Sequence, residues 1–190
     1  MESKLYLILR FIFKPVFNVL YRPKIIGMEN IPKDGSLVIA CNHKHAIDPL
    51  MLAMTTKRTI HFLAKKEIYK GILKFFFNAV GTLPVDRGNS NKGTISRAED
   101  MLKTGGVIGI FPEGTRNKTN DDLLPFKKGA VSFAKNTNSK IVPVYIKGKY
   151  KLFGNSLVII VGKPYYVKDN IEKENNKLKT KIYSLKEMRY

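Results

Sequence analysis

Short apolar, largely β-branched runs recur at 36–40, 59–64, 107–111, 141–146 and 157–161, and stretches with helical spacing stand between them. Strands of this kind, buried on both faces and separated by helices, belong to an open parallel or mixed sheet with helices packed on its sides. A chain of 190 residues is long enough for one such α/β domain with a full core and short for two. No internal repeat or low-complexity linker divides it. Pro143 lacks the ladder donor of its run, which predicts an edge strand or a bulge there.

The run at 36–40 leads into Cys41-Asn42-His43-Lys44-His45-Ala46-Ile47-Asp48, and Pro49 opens a helical pattern. His43 therefore sits on a strand-to-helix turn. On a regular helix, residues five apart lie about 140° from one another, so His43 and Asp48 meet only if the turn folds the acid back. Folded so, the carboxylate fixes the imidazole tautomer and makes His43 a general base. Two other readings fit the same residues. Asp48 before Pro49 is a good helix N-cap, and His43-x-His45 is a common metal spacing. His61 and Cys41 are the remaining nitrogen and sulfur ligands, too few to complete a site readily. The lone cysteine excludes an internal disulfide and reads as a small buried filler.

With 34 Lys plus Arg against 15 Asp plus Glu, the formal charge is +19, which suits a polyanionic partner: nucleic acid, an anionic bilayer or a phosphorylated substrate. Hydrophobic residues make up 44% of the chain, so it folds despite that charge. Residues 1–22 form an apolar helix carrying a narrow stripe of Arg10, Lys14 and Asn18. Its charges argue against a spanning helix and favour one lying in the membrane interface, Arg10 and Lys14 toward phosphates and Phe11, Phe13, Phe17 and Tyr21 toward acyl chains. Packing of this helix on the protein's own core is the alternative. Residues 66–80 repeat the pattern, with Lys66, Lys70, Lys74 and Asn78 as the stripe and Phe75, Phe76 and Phe77 suggesting a second lipid-facing surface. A helix from about 94 to 103 places Ile95, Ala98 and Leu102 on one side, and the chain ends in a lysine-rich helix from about 169.

Lys65 falls at the carboxyl end of its strand, where ligands meet an α/β sheet. The run at 107–111 breaks at Pro112 into Glu113-Gly114-Thr115-Arg116. Gly114 lets backbone approach a ligand, Thr115 offers a hydroxyl, and Arg116 a fork of donors suited to phosphate.

Taken together, Asn42-His43-x4-Asp48-Pro49, Gly81 to Arg87, Phe111-Pro112-Glu113-Gly114-Thr115-Arg116 and Ile141-Val142-Pro143-Val144 resemble the four blocks of the glycerolipid acyltransferases. Within them, the resemblance is to the 1-acyl-sn-glycerol-3-phosphate acyltransferases. It covers roughly residues 25–146. The family often has serine where His45 stands.

The resemblance implies a glycerolipid acyltransferase fold over residues 23–190. It implies transfer of an acyl chain from acyl carrier protein or coenzyme A to the 2-hydroxyl of lysophosphatidic acid, giving phosphatidic acid in phospholipid biosynthesis. His43 is then the base and Asp48 its orienting acid. Arg116, with Lys65 and Arg87, holds the phosphate; Glu113, with Gly114 and Thr115, belongs to the substrate site, Glu113 positioning the glycerol or Arg116. The oxyanion falls to backbone amides near the His43 turn. No metal, cofactor or acyl-enzyme is expected. The expected setting is the cytoplasmic face of the cell membrane, peripheral or monotopic, on anionic lipid. Alternatives are another acceptor in the same family (glycerol 3-phosphate, dihydroxyacetone phosphate or another lysophospholipid), a metal-dependent hydrolase built on His43, His45, Asp48 and His61, and a basic nucleic-acid-binding domain. The last leaves the four blocks unexplained.

Overall fold

The computed structural model describes residues 4–71, 74, 77, 78, 81–86 and 92–188. Its centre is a sheet of short strands: β1 (Lys24–Ile26), β2 (Leu37–Cys41), β3 (Ile60–Lys65), β4 (Leu83–Val85), β5 (Val107–Ile110), β6 (Lys140–Lys147), β7 (Val158–Val161) and β8 (Tyr165–Tyr166). The order is β1-β7-β6-β2-β5-β3-β4, with β8 beside the start of β6. β6 runs antiparallel to β7 and β8; the remaining pairs are parallel, so the sheet is mixed and largely parallel as the alternation implies.

Alternating residues of β2 show how the layers form. Val38 and Ala40 join a core with Ala98, Leu102, Ala130, Val131, Leu178 and Ile182. These come from α3 (Lys92–Lys103), α4 (Gly129–Asn136) and α5 (Ile171–Lys186). Leu37, Ile39 and Cys41 face the other way, toward Met51 and Leu52 of α2 (Asp48–Thr55) and Tyr6 of α1 (Lys4–Tyr21). β2 is buried along its whole length, which is why its sequence is a continuous apolar run and not an alternation.

Several elements depart from the sequence expectation. Pro143 lies inside β6 at the middle of the sheet, not at an edge. Its carbonyl accepts from Gly162 N–H on the β7–β8 side. There β7 pairing stops at Val144 and β8 pairing at Ile141, so the missing donor falls in a break of the ladder. Ile95 is exposed, whereas Ala98 and Leu102 are buried as expected. Lys66–Ile68 is a 3₁₀ turn, and most apolar positions of the expected 66–80 helix, Phe75 and Phe76 among them, lie outside the described residues.

Helix α1 divides the residues expected on its lipid-facing side between two faces, Phe11 outward and Phe17 and Tyr21 inward. Its inner face sets Tyr6 in the core, with Phe17 and Tyr21 packed against it. Arg10 donates to the carbonyls of Thr56 and Lys57, so its charge is spent on the loop after α2. The outer face is apolar: Leu5, Ile8, Phe11, Ile12, Val16 and Val19 are exposed, Phe11 at 83%. Packing against the core and an outward apolar surface thus coexist on opposite sides of one helix. Among the described residues, no helix is long and apolar enough to cross a membrane.

Candidate active site

The geometry begins at the end of β2. The regular β2–β6 ladder stops at Cys41 opposite Val144. Asn42 extends it with its side chain, donating to Ile146 O at 3.0 Å and accepting from Ile146 N–H at 2.7 Å. A buried amide paired this way acts as one more rung. It fixes the point from which His43 leaves the sheet.

Beyond Asn42 the chain turns back on Asp48, the first residue of α2, which is fully buried. Oδ2 of Asp48 accepts from Lys44 N–H at 2.8 Å and His45 N–H at 2.7 Å, and His43 Nδ1 lies 2.9 Å from it. Oδ1 accepts from the Tyr150 hydroxyl at 2.6 Å. The capping alternative is therefore corrected: Ile47 is the N-cap of α2, with no side-chain bond, and Asp48 serves the preceding turn, not the helix. A carboxylate that already takes three donors is an acceptor toward Nδ1 as well. His43 then carries its proton on Nδ1, leaving Nε2 as the basic nitrogen.

The imidazole is held from its face too. It stacks on Phe111 at 4.1 Å, and Phe111 stacks on Phe62. A Cβ at Gly109 would fall 2.4 Å from the Phe62 ring, so glycine at this point in β5 makes room for that stack. The other two histidines have different neighbours. His45 stacks on Tyr150 at 4.5 Å, and His61 Nδ1 is 2.9 Å from the Gly81 carbonyl. Cys41 is buried, and burial raises its thiol pKa well above the ordinary value, which fits the filler reading.

Glu113, expected to position the glycerol or Arg116, has both carboxylate oxygens engaged by main-chain donors. One oxygen accepts from His43 N–H at 2.8 Å and the other from Leu124 N–H at 2.9 Å. Asn117 N–H in turn donates to His43 O. The loop after β5 thus grips His43 through both its N–H and its carbonyl, and Glu113 fixes where the imidazole leaves the main chain. Burial raises its pKa, against the lowering effect of the two backbone donors. Of the amides near the His43 turn, those of His43, Lys44 and His45 are all engaged by carboxylates, which narrows the expected oxyanion donors to others.

His43 opens into a cavity of about 960 Å³. Lys65, Gly114, Thr115 and Arg116 line the same space, so four of the sequence-predicted residues meet His43 there; Arg87 lies outside the described residues. Gly114 adopts φ +69°, and a Cβ on it would come within 2.9 Å of Lys127. Lys127 also lines the cavity. In the sequence it is one of two adjacent lysines just ahead of α4, with nothing local to set it apart. The remaining walls are largely apolar, from Leu9 and Phe13 of α1, through Leu50, Ala53 and Met54 of α2, to Phe62 and Leu63 of β3.

The cavity thus has a polar end carrying an imidazole and three cations, and a long apolar remainder. The sequence profile described as Acyltransferase matches residues 22–147, which hold every element just described except α1, Tyr150 and the carboxyl-terminal strands and helix. The chain belongs to the acyltransferase family. It is 34% identical over 152 residues to the 1-acyl-sn-glycerol-3-phosphate acyltransferase of Bacillus subtilis, a match covering 77% of this chain and 75% of that protein. Against the enzyme of the same name from Borreliella burgdorferi the figures are 31% identity, 75% of this chain and 58% of the relative. The crystal structure of PlsC, the 1-acyl-sn-glycerophosphate (LPA) acyltransferase from Thermotoga maritima, superposes on the acyltransferase with a TM-score of 0.72. That likeness covers 100% of this chain and 99% of the other at 19% identity, and extends to the fold.

Proposed function

We propose that this acyltransferase moves an acyl group from the thioester of acyl carrier protein or coenzyme A to the 2-hydroxyl of 1-acyl-sn-glycerol 3-phosphate, giving phosphatidic acid. The observation that carries the reading is the shared cavity: His43, held by Asp48, opens into the space lined by Lys65, Thr115, Arg116 and Lys127, and apolar walls continue from there. The names of the Bacillus and Borreliella relatives supply the acceptor.

The chemistry follows from the tautomer. Nε2 of His43 takes the proton of the acceptor hydroxyl as its oxygen attacks the thioester carbonyl, a step for which a positioned base is worth about 10²–10⁴-fold. Asp48 stabilises the imidazolium. The tetrahedral intermediate collapses by breaking the C–S bond, and the departing sulfur receives the proton back from Nε2. Arg116 provides the bidentate contact to phosphate, and Lys65 and Lys127 add point charges. No cofactor takes part; the thioester is the co-substrate. The outward apolar face of α1 supports a bilayer partner for this enzyme, with anionic lipid matching its charge and the acceptor coming from the same surface.

A donor and acceptor panel with the purified protein tests the reading. Lysophosphatidic acid with a long-chain acyl thioester is the expected best pair, ahead of glycerol 3-phosphate and monoacylglycerol. Equal turnover of unphosphorylated monoacylglycerol would remove the phosphate role.

A further inference from the structure

Tyr150 stands in the segment after β6, beyond the residues matched by the family profile. It touches three parts of the molecule at once. Its hydroxyl donates to Asp48 Oδ1 at 2.6 Å. Its ring stacks on His45 at 4.5 Å and meets Tyr21 edge-on at 5.5 Å. Three residues later, Phe153 N–H donates to the carbonyl of Leu20, fastening the same segment to the end of α1.

We propose that Tyr150 is a positioning residue for acyl transfer, its hydroxyl setting the orientation of the Asp48 carboxylate and its ring tying the Asp48–His43 pair to helix α1. The reasoning is one of donors. Oδ2 is occupied by the turn and by His43, so its sister oxygen decides whether the carboxylate plane stays where Nδ1 needs it. Asp48 is fully buried, and without the phenol Oδ1 would stand desolvated. A carboxylate in that position relaxes by rotation or by taking a proton, and either weakens its hold on the imidazole. Burial, together with the Asp48 charge, raises the Tyr150 pKa, so the phenol stays a donor throughout the working pH range. The neighbouring rings confine Tyr150 while leaving only its oxygen to do the positioning. This inference rests on His43 being the base.

Tyr150→Phe keeps both ring contacts and removes one atom, which makes it the discriminating variant. In the full-length protein it is expected to lower kcat about 10-fold while both KM values stay within about twofold, because the contact is made to the base's partner and not to substrate. In an Asp48→Asn background the same change is expected to cost less than about twofold, since the Lys44 and His45 N–H donors claim the amide oxygen and leave its NH₂ facing the phenol. Melting temperature is expected to fall by a few degrees at most, because one buried acceptor loses its donor, and sedimentation with anionic vesicles should match the parent protein. Wild-type kcat in Tyr150→Phe would overturn the assignment. So would an equal fold-loss in both backgrounds, or a loss carried by KM. His43→Ala, run alongside, separates the two layers. If it keeps wild-type turnover, the base reading fails; if it is inactive while Tyr150→Phe is fully active, only the role of Tyr150 fails.

Discussion

The two ends of the cavity's polar side are built in opposite ways. Around His43, the proposed base, every group is spoken for. Asp48 takes two backbone N–H donors, a phenol and an imidazole, and the His43 peptide is gripped by Glu113 and Asn117. At the anion end, Lys65, Thr115, Arg116 and Lys127 are exposed, and no ion pair among the described residues engages the three cations. The contrast teaches a division of labour. A proton-transfer group must be held to a fraction of an ångström before the substrate arrives. On the proposed function, the acceptor's phosphate brings its own charge and completes the cation cluster on binding, so those side chains need no partner beforehand.

Substitutions at the two ends should therefore fail in different kinetic terms. His43→Ala is expected to cost about 10²–10⁴-fold in kcat, with Asp48→Asn approaching it; initial-rate assays check this. A large KM change at unaltered kcat would erase the distinction. Arg116→Ala should act mainly on KM, raising it about 10–100-fold for the phosphorylated acceptor and little for the thioester. An equal loss in kcat would place the guanidinium at the transition state and sharpen the picture differently.

The smallest effect on chemistry is expected from the outer face of α1. Phe11→Ser combined with Val19→Ser should reduce co-sedimentation with anionic vesicles, while kcat on substrate presented in detergent stays near the parent value. Because Tyr6, Phe17 and Tyr21 hold the inner face on the core, this pair is a cleaner probe than removing the helix. Unchanged sedimentation would turn the apolar face into something other than a lipid contact.

How much of this was legible in the sequence depends on whether the signal was local. The run and turn around His43 read correctly, because a strand ending in a polar turn before Pro49 leaves few alternatives. Asp48 was ambiguous for a specific reason: an N-cap and a dyad acid occupy the same position in the chain, and only the direction in which the carboxylate folds separates them. Arg10 belonged to a visible stripe, yet a stripe at helical spacing does not say which way it points; carbonyls 46 and 47 residues away decided that. Pro143 was misplaced because a gap between β7 and β8 cannot be seen from β6. Tyr150 and Lys127 meet the site from distant segments, and their own neighbourhoods carry no mark of it. Glu113 was found, but its partners are main-chain amides, which no side-chain pattern announces.

The clasp between Glu113, Asn117 and His43 bears on how such an enzyme can be altered. Two loops far apart in the chain share one hydrogen-bonded frame, so neither is an independent part. Chimeras that exchange residues 42–48 between relatives should work only when 111–117 travels with them, and attempts to retune the headgroup by grafting the second segment alone would disturb the proton acceptor as a side effect.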